Sequence, residues 1–184
     1  MEPLRKPKTT VLRWGHRFRD KRVTTHAALV ARAFGASGFI LTDVKDMEVG
    51  LALEKTMANW GGEFCFEMGL PWKRVVKEWR GKKGVVVHLT AYGENIQTSD
   101  VVERIRSLGT DILVVIGSQK VPKEFFSSDV SDFNVAVGNQ PHSEISSLAV
   151  FLDRLYEGKE LAKDFNGARL RIIPQRHGKK VAKS

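Results

Sequence analysis

A single cysteine, Cys65, stands in the chain of 184 residues, so no internal disulfide framework is available and a cysteine-rich zinc site is excluded. The five histidines show no ligand spacing. No apolar run approaches the roughly 20 residues that a membrane-spanning helix needs. The segment Met1 to Lys6 lacks the apolar stretch of a secretory signal. Neither Gly-x-Gly-x-x-Gly nor a Walker phosphate loop occurs, which removes the main support for a dinucleotide oxidoreductase or a nucleoside triphosphatase. Together with the length, these absences lead us to expect one globular domain in a reducing cytoplasm.

What is present is positive charge, and it is unevenly placed. Lys and Arg number 30 against 21 Asp and Glu, a formal +9. Residues 1–22 carry eight basic and two acidic side chains, residues 72–83 six and one, and residues 159–184 eight and two. These blocks hold a net +17, so the rest of the chain carries −8. Cations gathered in blocks suit a polyanion, because each one placed near a phosphate releases condensed counterions.

Helical and extended patterns alternate from Val11 to the 150s, which predicts an α/β fold. Strands are expected at 11–14, 38–42, 64–66, 85–89, 112–116 and 133–137, and their continuous apolar runs fit a mostly parallel sheet covered on both faces. Thr24 or Thr25 can cap a first helix that closes at Gly35, which leaves only His26 of the pair Arg22 and His26 helical, whereas a start by Arg22 puts the two, four apart, on one face. Further helices are expected at 46–60, 72–79, 96–108 and 143–156, with a possible edge strand at 168–173. The helix at 72–79 is amphipathic and basic, with Trp72, Val75, Val76 and Trp79 on one face. We read residues 1–10 as a basic N-terminal tail, 11–158 as the domain and 159–184 as a basic extension, whose last residues, from 177, are expected to be a solvated tail.

Two glycine turns leave the carboxyl ends of expected strands, Gly117 before Ser118-Gln119-Lys120-Val121-Pro122 and Gly138 before Asn139-Gln140-Pro141-His142. Ligands of open α/β sheets bind outside those strand ends. The succession Val114–Lys120 and then Val135–Glu144 resembles the second and third motifs of the SPOUT methyltransferases. With Leu12–Arg17, Arg19–His26 and Arg32–Ala36, the likeness extends to the archaeal branch that methylates tRNA ribose. It covers the chain from about Val11 to the basic C-terminal region.

That resemblance implies an open, mostly parallel sheet flanked by helices and closed by a deep C-terminal trefoil knot. It implies S-adenosyl-L-methionine as methyl donor, the 2′-hydroxyl of cytidine 56 in the tRNA T-loop as acceptor, and a homodimer with the final helix at the interface. Carried over by motif, the donor-binding residues are Leu89, Gly117, Ser118, Gln119, Lys120, Val121, Val135, Ala136, Val137, Gly138, Asn139, Gln140, Pro141 and His142. A basic tRNA- or rRNA-binding module of the same fold, lacking the donor site, is the alternative from another class.

Methyl transfer from a sulfonium to a hydroxyl is an in-line displacement, so positioning should supply most of the acceleration. The hydroxyl must also lose its proton. Within the first motif Arg17, Arg19, Arg22 and Arg32 compete for a catalytic role. We choose Arg22, as a ligand of the phosphate beside the target ribose, because a guanidinium with a pKa above about 12 is a poor proton acceptor. His26 or His142 is then the candidate base. For RNA contact the candidates are Arg13, Arg17, Arg19, Lys21 and Arg22, then Lys73, Arg74 and Lys77, and finally Arg169, Arg171 and Arg176. Trp60, Trp72 and Trp79 are assigned to packing rather than to base stacking. Glu144 is expected to face the first amides of the last helix.

Overall fold

A computed structural model describes residues 7–118 and 120–183. Gln119 falls outside the described residues, as do 1–6 of the expected tail and Ser184. Six strands, β1 (Thr9–Trp14), β2 (Gly38–Leu41), β3 (Cys65–Met68), β4 (Val85–Asn95), β5 (Ile112–Gly117) and β6 (Phe133–Ala136), form one sheet. Its order is β3-β2-β1-β5-β4-β6 and every neighbouring pair is parallel. Central β5 is apolar throughout and β1 is apolar at Val11 and Leu12, because helices cover both faces. Val11, Val87, Val114 and Ile116 pack with Ala27, Ala28, Leu53, Ile105, Leu148 and Leu152, which belong to α1 (Lys21–Ala33), α2 (Met47–Trp60), α4 (Val101–Ser107) and α5 (Glu144–Tyr156). Leu12, Ile40, Val86, Leu113 and Val115 face the other way, against Trp72, Val75 and Val76 of α3 (Trp72–Gly81) and against Phe125.

Strand β4 runs to Asn95, beyond the expected residue 89, and two helix starts differ from expectation for local polar reasons. Helix α1 starts at Lys21, and neither Thr24 nor Thr25 caps it. A 3₁₀ turn, Phe18–Asp20, is closed by the Arg17 guanidinium donating from Nε to Asp20 at 2.8 Å, and the chain runs from it directly into the helix. Helix α4 starts only at Val101, because the Asn95 carboxamide accepts from the Gln97 amide (2.8 Å) and the Ser99 hydroxyl donates to the Asn95 carbonyl (2.8 Å), fixing a turn in between. The C-terminal strand β7 (Leu170–Ile173) does not extend the main sheet. It pairs antiparallel with β8 (Lys180–Lys183), so part of the expected tail is a hairpin. This hairpin joins the body where the Arg169 amide donates to Asn59 O (2.9 Å) and Gly62 to Asn166 O (2.8 Å).

Candidate active site

The carboxyl edge of the sheet is where the irregular backbone gathers. Trp14 of β1 pairs with Gly117 of β5; the Ser118 amide donates to Trp14 O (3.0 Å) and its hydroxyl to Gly15 O, which ties the loop after β5 to the end of β1. Beside it opens a cavity of about 680 Å³, lined by Leu89, Thr90, Gly117, Lys120, Val121 and Phe126, with Tyr92 and Lys123 at its rim and His88 beneath. That volume lies within the range of small-molecule sites, and the wall combines apolar side chains with strand-end backbone, the usual make-up of such sites. His88 is buried, and burial draws its pKa below the ordinary histidine value. Its ring nitrogen Nδ1 lies 2.9 Å from Asn134 Oδ1, to which a neutral Nδ1–H donates.

Between the edge strands β4 and β6 the ladder slips: Leu89 and Glu94 both register with Val135, so residues 90–93 bulge out toward the cavity. The turn after β6 holds this bulge. Gly138 sits at φ +76°, a conformation costly for a residue with a Cβ. It turns the Asn139 carboxamide so that Nδ2 donates to Ala91 O (2.9 Å) and Gly93 O (3.1 Å), while Oδ1 accepts from Asn95 Nδ2 (2.8 Å). Val135 and Ala136 are buried below the turn and Val137 is half-buried, whereas Gln140 and Pro141 are exposed. His142 closes the turn. Its Nε2 lies 2.5 Å from Val137 O, and its Nδ1 lies 3.1 Å from the Ser146 hydroxyl. Ser143 then caps α5 by accepting from the Ile145 amide (3.1 Å).

A third feature went unrecognised in the sequence. Arg13, expected on the RNA surface, is fully buried on the α1/α5 face of β1, one residue before the strand ends. Its Nε donates to the Thr24 hydroxyl (2.7 Å) and one terminal nitrogen to Glu144 Oε1 (3.1 Å) at the start of α5, while the other terminal nitrogen has no partner among the described residues. Thr24 Oγ1 lies 2.8 Å from His16 Nδ1, and His16 Nε2 lies 3.1 Å from Asp46 Oδ2. Asp46 caps α2 by accepting from the Glu48 and Val49 amides. Burial lowers the Arg13 pKa, and Glu144 acts in the opposite direction. The chain of contacts therefore links β1, α1, α2 and α5. Thr24 is consumed by it, which is why it caps nothing, and Glu144 serves Arg13.

The remaining cations sort by partner. Arg17 is paired with Asp20 and Lys21 with Glu48 (2.5 Å). Arg32 is buried, donates to Trp60 O (3.0 Å) and Gly61 O (2.5 Å), and lies 4.3 Å from the Phe165 ring centre, a structural post. Arg22 and His26 are exposed, share one face of α1 at i,i+4, and have no hydrogen-bond or ion-pair partner among the described residues. Neither lines the cavity. On α3, Lys73 and Lys77 are exposed and Arg74 is paired with Glu78 (2.7 Å). Trp72 packs 4.4 Å from Phe125 and the Trp79 indole donates to Asp111 O (3.3 Å), the packing role expected of both.

Comparison with known proteins adds a family. The family described as tRNA ribose 2′-O-methyltransferase, aTrm56, matches residues 60–182. The chain is 54% identical over 177 residues to a tRNA (cytidine(56)-2′-O)-methyltransferase of Staphylothermus marinus, covering 96% of this chain and 93% of the relative. It is 51% identical over 176 residues to the protein of the same name from Methanopyrus kandleri, covering 95% and 96%. Among solved structures, the SpoU methyltransferase AviRb of Streptomyces viridochromogenes in complex with AdoMet superposes with a TM-score of 0.59 at 13% identity, covering 85% of this chain; this chain spans only 60% of that one. The TrmH/SpoU tRNA modifying enzyme of A. aeolicus gives 0.58 at 10% identity, covering 88% and 82%. At such identities the structural likeness speaks for the fold, which is that of the SpoU/TrmH methyltransferases.

Proposed function

Because this chain belongs to the tRNA ribose 2′-O-methyltransferase family, we propose that it transfers a methyl group from S-adenosyl-L-methionine to the ribose 2′-hydroxyl of cytidine 56 in the T-loop of tRNA. The observation that carries this reading is the cavity at the carboxyl edge onto which Leu89, Gly117, Lys120 and Val121 converge. Its size and its apolar wall fit the donor. When bound, the donor supplies an activated methyl group on a sulfonium, ready for in-line displacement.

The chain's own residues then have distinct tasks. Leu89, Gly117, Lys120 and Val121 would hold the donor, with Ser118 and the segment Val135 to His142 framing the site; Gln119 belongs to the same motif and lies outside the described residues. Asn139 and His142 act first as builders, because their polar atoms are engaged in holding the turn and the bulge. Arg22 binds the phosphate beside the target ribose through its planar set of N–H donors. His26, exposed and without a partner among the described residues, takes the 2′-hydroxyl proton on an imidazole nitrogen; the engaged ring of His142 is the weaker candidate.

Arg22 and His26 do not line the cavity of their own chain. We therefore infer a homodimer in which the α1 face of one protomer completes the cavity of the other, with α5 at the interface. The trefoil knot at the C-terminal end of residues 11–158, the role of 159–184 as an extension contacting RNA, and residence in the cytoplasm belong to the same reading. Incubation with labelled donor and an unmodified tRNA transcript, followed by mapping of the product, tests it. Label on the ribose of cytidine 56 is expected. Label elsewhere overturns the target, and RNA binding without donor binding leaves a non-catalytic module of the same fold.

A further inference from the structure

We propose that Tyr92 and Phe126 form a stacking platform, at the rim of the donor cavity, for an unpaired nucleobase of the RNA substrate; the inference rests on the methyltransferase reading above and adds a substrate subsite to it. Tyr92 is 87% exposed, the largest exposure of any large apolar or aromatic side chain among the described residues, and Phe126 is 40% exposed. Their rings meet edge to face at 6.2 Å. Phe126 in turn stands edge-on to buried His88 at 5.0 Å, and His88 contacts Phe125, so the exposed pair is the outer end of an aromatic array rooted in the core.

The bulge that carries Tyr92 is preorganised. Asn139 bonds the carbonyls on either side of Tyr92, those of Ala91 and Gly93, and the Tyr92 amide donates to the Thr90 hydroxyl (3.4 Å). Gly93 lies so close to the β6 backbone that a Cβ there would come within 2.4 Å of Asn134 C and Val135 N. A fixed backbone that presents an aromatic ring to water gains nothing from burial in the free protein, but it lowers the entropic cost of meeting a flat partner. Lys120 and Lys123 line the same cavity, are exposed, and have no hydrogen-bond or ion-pair partner among the described residues. Exposed aromatics interleaved with free cations match the chemistry of an unstacked nucleotide, whose base offers a π-face and whose phosphate offers the charge.

The test compares wild type with Tyr92→Ala, Tyr92→Phe and Phe126→Ala. It measures binding of a fluorescein-labelled T-arm stem–loop by anisotropy, KM for tRNA transcript, donor affinity by calorimetry, and oligomeric state by size exclusion. Loss of one stacked base predicts RNA affinity weakened roughly 10- to 100-fold in Tyr92→Ala. Tyr92→Phe should stay within about threefold of wild type, since its ring still stacks. Phe126→Ala, whose ring also lines the cavity, should fall between them in RNA affinity, and donor affinity and oligomeric state should not change in either Tyr92 variant. Three results overturn the platform: RNA affinity unmoved by Tyr92→Ala, donor affinity lost in parallel (the ring then covers the donor), or a change in oligomeric state (the ring then faces a second copy). Wild-type protein that methylates tRNA while Tyr92→Ala behaves identically sinks only the platform. Wild-type protein that binds neither donor nor RNA sinks the methyltransferase reading with it.

Discussion

The start of α1 and the mouth of the cavity hold cations in opposite ways. Around α1, Arg13, Arg17, Lys21 and Arg32 are each bonded to a named acceptor, and Arg13 is fully buried. At the cavity, Lys120 and Lys123 are exposed and have no partner among the described residues, as is the case for Arg22 on the outer face of α1. A net charge of +9 thus divides into cations that hold the fold and cations available to a polyanion. Desolvation explains the division: a buried guanidinium persists only where its donors are met, whereas an exposed ammonium stays hydrated until a phosphate replaces the water.

Substitutions on the two sides should therefore part stability from function. The largest effect is expected at Arg13→Met, which strands Thr24 and the inner oxygen of Glu144. Removing one partner of a fully buried pair costs roughly 3–5 kcal/mol, and the quarter-exposed Glu144 side chain puts this substitution toward the lower end. Chemical denaturation should show the midpoint falling at constant m-value. Next comes Arg22→Ala, which leaves stability within about 0.5 kcal/mol, as surface changes do. Its turnover should drop on the order of 100-fold while donor affinity holds, the pattern of a contact made in the transition state. Equal losses in turnover and donor affinity would assign Arg22 to the fold. The smallest effect is expected at Lys77→Ala: RNA affinity falls modestly for every RNA sequence, and the slope of log affinity against log salt decreases by about one. Arg74→Ala, whose cation is already paired with Glu78, should change that slope less.

The same division marks how far the sequence could be read. Apolar runs located the six strands of the parallel sheet, most clearly β2 and β5, where a strand buried on both faces has no polar side to hide its pattern, and least clearly edge strand β3, whose side chains alternate between exposed and half-buried. The glycine turns fell at the carboxyl edge because strand ends are where glycine is needed. Thr24 was misread because its partners, Arg13 and His16, are set by strand and loop placement and no helical spacing reveals them. Arg13 counted as surface charge for the same reason: its carboxylate lies 131 positions away in Glu144. Asn139 signalled a turn, but its hold on Ala91 and Gly93 depends on a register slip between β4 and β6 that no local pattern carries. Residues 168–173 read as a possible edge strand and those from 177 as a solvated tail, and only tertiary placement pairs the two as a hairpin apart from the main sheet.

The most direct measurement is a crystal structure of the protein grown with S-adenosyl-L-methionine. The account predicts the donor in the cavity between Leu89, Gly117 and Val121, with Arg22 and His26 of a second protomer facing it. Donor density elsewhere on the chain, with those strand ends vacant, would contradict it.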